Sequence, residues 1–81
     1  MQIKPLRPDL EKKLKKFGLV KKYGKAKVLF EENPKHPSLN TELLKPKEWK
    51  VYSFRIDRKY RASFIYVRGE VEIVTITLHY Q

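Results

Sequence analysis

The sequence predicts an α+β chain in which a helical hairpin packs on a twisted antiparallel sheet, in the order β-α-α-β-β-β. Three observations carry that reading. Apolar residues recur at helical spacing up to Asn33-Pro34, the period switches to two from Trp49 onward, and the later segments are separated by spacers as short as "DRK" and "RGE". With 81 residues, the chain has room for one domain, residues 1–81, and for a core no larger than a couple of helices on one sheet.

The first element, "QIKPLR", has Ile3 and Leu6 as its apolar residues, and Pro5 interrupts it. Proline has no N–H to give a ladder, so this segment reads as a weak edge strand. In "PDLEKKLKKF", Leu10, Leu14 and Phe17 fall at i, i+4 and i+7 on one helical face. Asp9 and Glu11 lie early and the lysines late, as the helix dipole favours. Gly18 breaks the pattern. A second stripe, Leu19, Tyr23, Ala26 and Phe30, follows with Val20 and Leu29 beside it. Gly24 inside this stripe costs up to about 1 kcal/mol relative to alanine and invites a bend. Asn33-Pro34 ends the helix, because the residue before proline is pushed out of the helical region.

"NPKHPSLNTELLKPKEW" reads as a connection, anchored by Leu39 and the pair Leu43-Leu44. "WKVYSFRID", "KYRASFIYV" and "EVEIVTITLHY" then read as three strands of an antiparallel meander, rich in β-branched and aromatic residues. The edge strand from the N-terminal segment completes the sheet.

Nineteen Lys and Arg against nine Asp and Glu leave a formal net charge of +10. A field of that sign draws the chain towards polyanions, with nucleic acid or ribosome the favoured target and an acidic protein the competing one. The lysine-dense residues 12–27 are periodic and read as the solvated face of two helices. There is no cysteine, so disulfides and thiolate metal sites are excluded, and the composition fits a reducing cytoplasm. The N-terminal stretch has no long apolar run, so neither a signal peptide nor a membrane span is expected.

His36 and His79 are the only histidines, and neither has ligand-spaced neighbours, so neither a metal site nor a cofactor is expected. No glycine-rich phosphate loop is present. What remains is a metal-free phosphodiester site. Cleaving RNA without metal requires a base for the ribose 2′-hydroxyl, a cation for the phosphorane and an acid for the leaving 5′-oxygen. The candidates are Glu42 in the connection, Arg55 and Arg61 on or between the strands, and His79 with Tyr80 at the end of the last strand. Each also has a plain structural reading. Glu42 can be a surface acid, and Arg61 or Arg55 an ion-pair partner for Asp57 or a glutamate. His79 can be an idle exposed histidine, and Tyr80 a cap on the core beside Leu78 and Ile76.

The segments "FEENPKHPSLNTELLKP", "YSFRIDRKYRASFIY" and "ITLHY" together resemble the RelE/ParE superfamily of type II toxin–antitoxin toxins. The likeness covers most of the chain in order, and the "RID-KYR-F" hairpin with the terminal "HY" is most similar to the YoeB-like branch. The resemblance implies two helices on a twisted antiparallel sheet. It further implies a ribosome-dependent mRNA endonuclease that cuts A-site mRNA by 2′-hydroxyl attack without metal. Its partners would be the ribosome, the mRNA and a cognate antitoxin protein, with a homodimer or a toxin–antitoxin hetero-oligomer as the assembly.

Carried over by residue, the resemblance makes Glu42 the general base, Arg61 the holder of the scissile phosphate and Arg55 a second phosphate contact. His79 becomes the general acid, and Tyr80 shapes or stacks on the substrate. Gln81 after Tyr80 is a departure from the pattern. The RelE branch relies instead on lysines, arginines and a tyrosine. Lys45, Lys47, Lys50 and Lys59 are available for that arrangement, and both acid–base assignments stay open. Two further readings share the fold or the charge: a ParE-like toxin that acts on DNA gyrase without cutting, and an inactive RNA-binding relative.

Overall fold

The structure is a computed structural model that describes residues 1–78. Helix α1 spans Pro8–Lys16 and helix α2 spans Val20–Glu32. Pro8 opens α1 where the missing N–H is not needed, and Asp9 and Glu11 occupy its first turn. The turn between the helices is a Schellman motif. Leu19 N–H returns to the Leu14 carbonyl at 2.8 Å and Gly18 N–H to Lys15 at 3.2 Å. Gly18 takes φ +65, the left-handed conformation that the motif requires and that glycine adopts without penalty. Leu10 and Leu14 of α1 and Tyr23, Ala26 and Phe30 of α2 are buried, as their spacing predicts. Phe17, at the end of the first stripe, stays partly exposed and stacks on Tyr60 at 5.2 Å between ring centroids. Helix α2 runs unbroken through Gly24.

Strands β1 (Glu42–Leu43), β2 (Tyr52–Arg55), β3 (Tyr60–Val67) and β4 (Glu70–Leu78) form one antiparallel sheet in that order. Two expectations are corrected here. The N-terminal edge strand is only a single parallel bridge, Ile3 to Val71, held by Lys4 N–H on Val71 and Val71 N–H on Gln2. Pro5 carries no N–H and cannot extend the ladder. The fourth strand comes instead from the connection, where Glu42 pairs with Ser53 and Leu43 with Tyr52. Trp49, expected to begin a strand, lies in a one-turn 3₁₀ helix, Lys47–Trp49.

The helices cover one face of the sheet. Phe30 of α2 meets Phe54 and Phe64 at 5.1 and 5.0 Å between ring centroids, and all three are fully buried. In β4 the inward residues are Val71, Ile73 and Ile76, which breaks strict alternation. A bulge explains it. Ser63 pairs with Thr75 and Phe64 with Ile73, which leaves Val74 as the extra residue. Its carbonyl accepts a hydrogen bond from Arg7 Nη2 at 3.0 Å. Among the described residues no helix is long and apolar enough to cross a membrane.

Candidate functional site

Residues directly opposite in an antiparallel pair share a face, so the register sorts the polar side chains. Glu42, Ser53, Ser63 and Thr75 form one cross-strand row, and Arg55, Arg61 and Thr77 form the next. Both rows lie on the face turned away from the helices, because the alternate residues Phe54, Ala62 and Phe64 are in the core. The sheet therefore brings Glu42, Arg55 and Arg61 to one surface.

Arg61 is unusual for a charged residue in being only 4% exposed. Its Nε donates to Ser53 Oγ at 2.9 Å, and Nη2 donates to the carbonyls of Ser53 at 3.1 Å and of Asn40. Such bonding offsets the cost of burying a guanidinium. It also fixes the side chain. Burial pulls the Arg61 pKa down, the negative charge of Glu42 opposes that pull, and the positive charge of Arg55 adds to it. Nη1 donates to no described residue.

Arg55 sits directly opposite Arg61 in the β2–β3 register. Like charges opposed across a ladder repel, and a bound phosphate would relieve that repulsion. Glu42 lies one row and one further strand away, with neighbouring strands about 4.8 Å apart. Its carboxylate is exposed and accepts from Asn40 Nδ2 at 3.4 Å. Asn40 itself is in the left-handed region, φ 44, at the end of the short 3₁₀ helix Pro37–Leu39. Glu42 is thus a strand residue and not a free loop acid.

The structure does not pair either arginine with Asp57. That carboxylate accepts from the Lys59 and Tyr60 main-chain N–H groups, both at 2.8 Å, and from Lys22 Nζ at 3.3 Å. Lys59 lies in this β2–β3 turn, beyond the Arg55–Arg61 end of the row. Lys45, Lys47 and Lys50 lie in the exposed β1–β2 connection, beyond the other end of β2. The four lysines flank the polar face from two sides and do not form one cluster.

Beside Glu42 a groove of ≈ 460 Å³ runs along the sheet edge, with His36, Asn40, Leu43, Tyr52 and Tyr66 among its lining. His79 and Tyr80 lie outside the described residues. The last described rung joins Leu78 to Tyr60, next to Arg61–Thr77.

Sequence reasoning missed Ser53 and Asn40. The alternation of "YSFR" against "YRASF" places Ser53 and Arg61 on the same kind of position. A main-chain acceptor such as the Asn40 carbonyl leaves no mark in a sequence.

The structure is similar to a chain of the YoeB-YefM complex from Staphylococcus aureus, with a TM-score of 0.70 and 22% sequence identity over 99% of this chain and 98% of that one. The two chains share a fold. Two helices on a four-stranded antiparallel sheet is the architecture that the YoeB-like resemblance implies, and the match bears it out over almost the whole chain. No protein-family model and no curated protein matches the sequence.

Proposed function

We propose that this chain is the toxin of a type II toxin–antitoxin pair and acts as a ribosome-dependent mRNA endonuclease. The observation that carries the reading is the opposition of Arg55 and Arg61 on the same face of the sheet as Glu42. The fold shared with the YoeB-YefM complex supports it and supports an antitoxin partner for this chain. The net charge of +10 suits ribosomal RNA.

In this mechanism Glu42 takes the proton from a ribose 2′-hydroxyl, and the 2′-oxygen attacks the adjacent phosphorus. Arg61, held rigid by Ser53 and Asn40, and Arg55 opposite it neutralise the pentavalent phosphorane. The bond to the 5′-oxygen breaks as His79 gives that oxygen its proton, which leaves a 2′,3′-cyclic phosphate and a 5′-hydroxyl. His79 directly follows Leu78, whose partner Tyr60 precedes Arg61 in the chain. Tyr80 stacks on the substrate and sets its in-line geometry. The lysines at positions 45, 47, 50 and 59 hold flanking phosphates. A base and an acid acting together give a bell-shaped dependence of rate on pH.

The test is primer extension on an mRNA in a reconstituted translation reaction. The wild-type chain should cut within A-site codons only when ribosomes are present. Glu42→Gln and His79→Ala should each lower cleavage by about 10²-fold or more. Absence of cleavage by the wild-type chain, with inhibition of gyrase in its place, would move the assignment to a ParE-like toxin.

A further inference from the structure

Trp49 is the only tryptophan of the chain and is 73% exposed, the most open of the large apolar side chains among the described residues. A buried indole stabilises a small fold substantially, so one left in water calls for an explanation. The backbone beneath it is well braced. Trp49 N–H donates to the Pro46 carbonyl and Lys50 N–H to Lys47, each at 3.1 Å, and Leu44 N–H closes the loop onto Val51 at 2.8 Å. Lys50 then takes φ 52, which ends the turn sharply. The ring is displayed by a fastened turn and not by a loose end.

The same loop carries Lys45, Lys47 and Lys50, all exposed, against one acid, Glu48. An exposed aromatic face among lysines is the pairing that single-stranded nucleic acid binds, with a base on the ring and phosphates on the cations. The location agrees. Leu44, the residue that closes the loop, is two positions from Glu42, about 7 Å along a strand.

We propose that Trp49 is a stacking platform for a nucleotide of single-stranded RNA flanking the phosphate held by Arg55 and Arg61, with Lys45, Lys47 and Lys50 on the adjoining phosphates. The inference rests on the endonuclease reading above and adds a substrate-positioning residue to it. Trp49 does no proton transfer. It sets which stretch of the strand lies over Glu42.

The single indole makes the test direct. The intact chain is titrated with a fluorescein-labelled eight-nucleotide 2′-O-methyl RNA, which cannot be cleaved, and both indole emission and label anisotropy are followed at several salt concentrations. Binding should quench the indole. Trp49→Ala should weaken binding about 5- to 100-fold while leaving the salt dependence unchanged. Lys47→Ala should instead lower the slope of log K against log salt by about 0.7.

Binding without quenching, equal affinity of Trp49→Ala, or no binding at low salt would each overturn the proposal. So would a blue shift of the indole on concentrating the protein alone, which would assign the ring to a protein contact. The endonuclease reading fails separately. Quenching with no cleavage on ribosomes sinks that reading and keeps the platform, whereas ribosomal cleavage untouched by Trp49→Ala does the reverse.

Discussion

Arg61 donates through Nη2 to the main-chain carbonyl of Asn40, a bond that spans 21 positions of the chain. Asn40 in turn donates through its side-chain amide to the carboxylate of Glu42. The residue proposed to hold phosphate therefore also fastens the segment that carries the proposed base. Electrostatics and positioning are joined in one side chain.

Arg61→Lys keeps the charge but offers one nitrogen where three acceptors wait. The lysine leaves Ser53 or the Asn40 carbonyl unsatisfied in a buried place, and the expected cost is about 2 kcal/mol. Ser53→Ala removes only the acceptor of Nε and should cost about 1 kcal/mol. Urea unfolding with equal m-values for the three proteins checks both figures, and a lysine variant as stable as the parent would refute the fastening role.

Tyr23 has a buried hydroxyl with no partner among the described residues. Burial, helped by the charge of Glu31, pushes its pKa up to about 12. A folded-state pKa above the ordinary 10.0 means that this group leaves stability unchanged with pH below 10 and lowers it as pH rises from 10 towards 12. Tyr23→Phe removes both the orphaned group and the titration. It should stabilise the protein by up to about 1 kcal/mol at neutral pH. Thermal melts of the two proteins between pH 8 and pH 12 should diverge further in the alkaline range.

Asp57 joins the β2–β3 turn to α2. Burial alone would raise its pKa, but the Tyr60 and Lys59 N–H groups and the Lys22 ammonium outweigh that and hold it below the usual 3.8. A depressed folded-state pKa gives stability that is present above about pH 4 and is lost as pH falls through the folded value. Asp57→Ala should destabilise by about 1–2 kcal/mol at pH 7 and by clearly less at pH 2.5. An equal loss at both values would show that the carboxylate charge contributes nothing.

Gly24 lies within α2, with no atom within 4 Å of where a Cβ would stand. Alanine fits that space and stiffens the unfolded chain, so Gly24→Ala should stabilise by about 0.5–1 kcal/mol. Chemical denaturation measures it, and a destabilised variant would mean that the helix needs glycine there for a reason outside its own packing.

The helices and the two long strands were legible because each is periodic over enough residues to declare itself. Leu10, Leu14, Tyr23, Ala26 and Phe30 all sit where their spacing puts them. β1 was not legible. Two residues have no period, and Glu42 and Leu43 become a strand only because β2 lies beside them. At the N-terminus two apolar residues, Ile3 and Leu6, around a proline suggest more ladder than they form. At the site, the alternation of the strands brings Arg55 and Arg61 to one face across the short β2–β3 turn. The bond that buries Arg61 depends on a main-chain carbonyl far away in sequence, and nothing in the residue types announces it.

The double duty of Arg61 bears on how such a chain decays. Glu42 is exposed and supports little besides its own bond to Asn40, so a substitution there can silence the proposed chemistry and leave the architecture standing. Arg61 offers no such exit, because its loss unfastens buried backbone as well. A lineage drifting towards a harmless copy would therefore shed its glutamate first and keep its arginine longest, and an intact Arg61 in a homologue is no sign that the homologue still cuts.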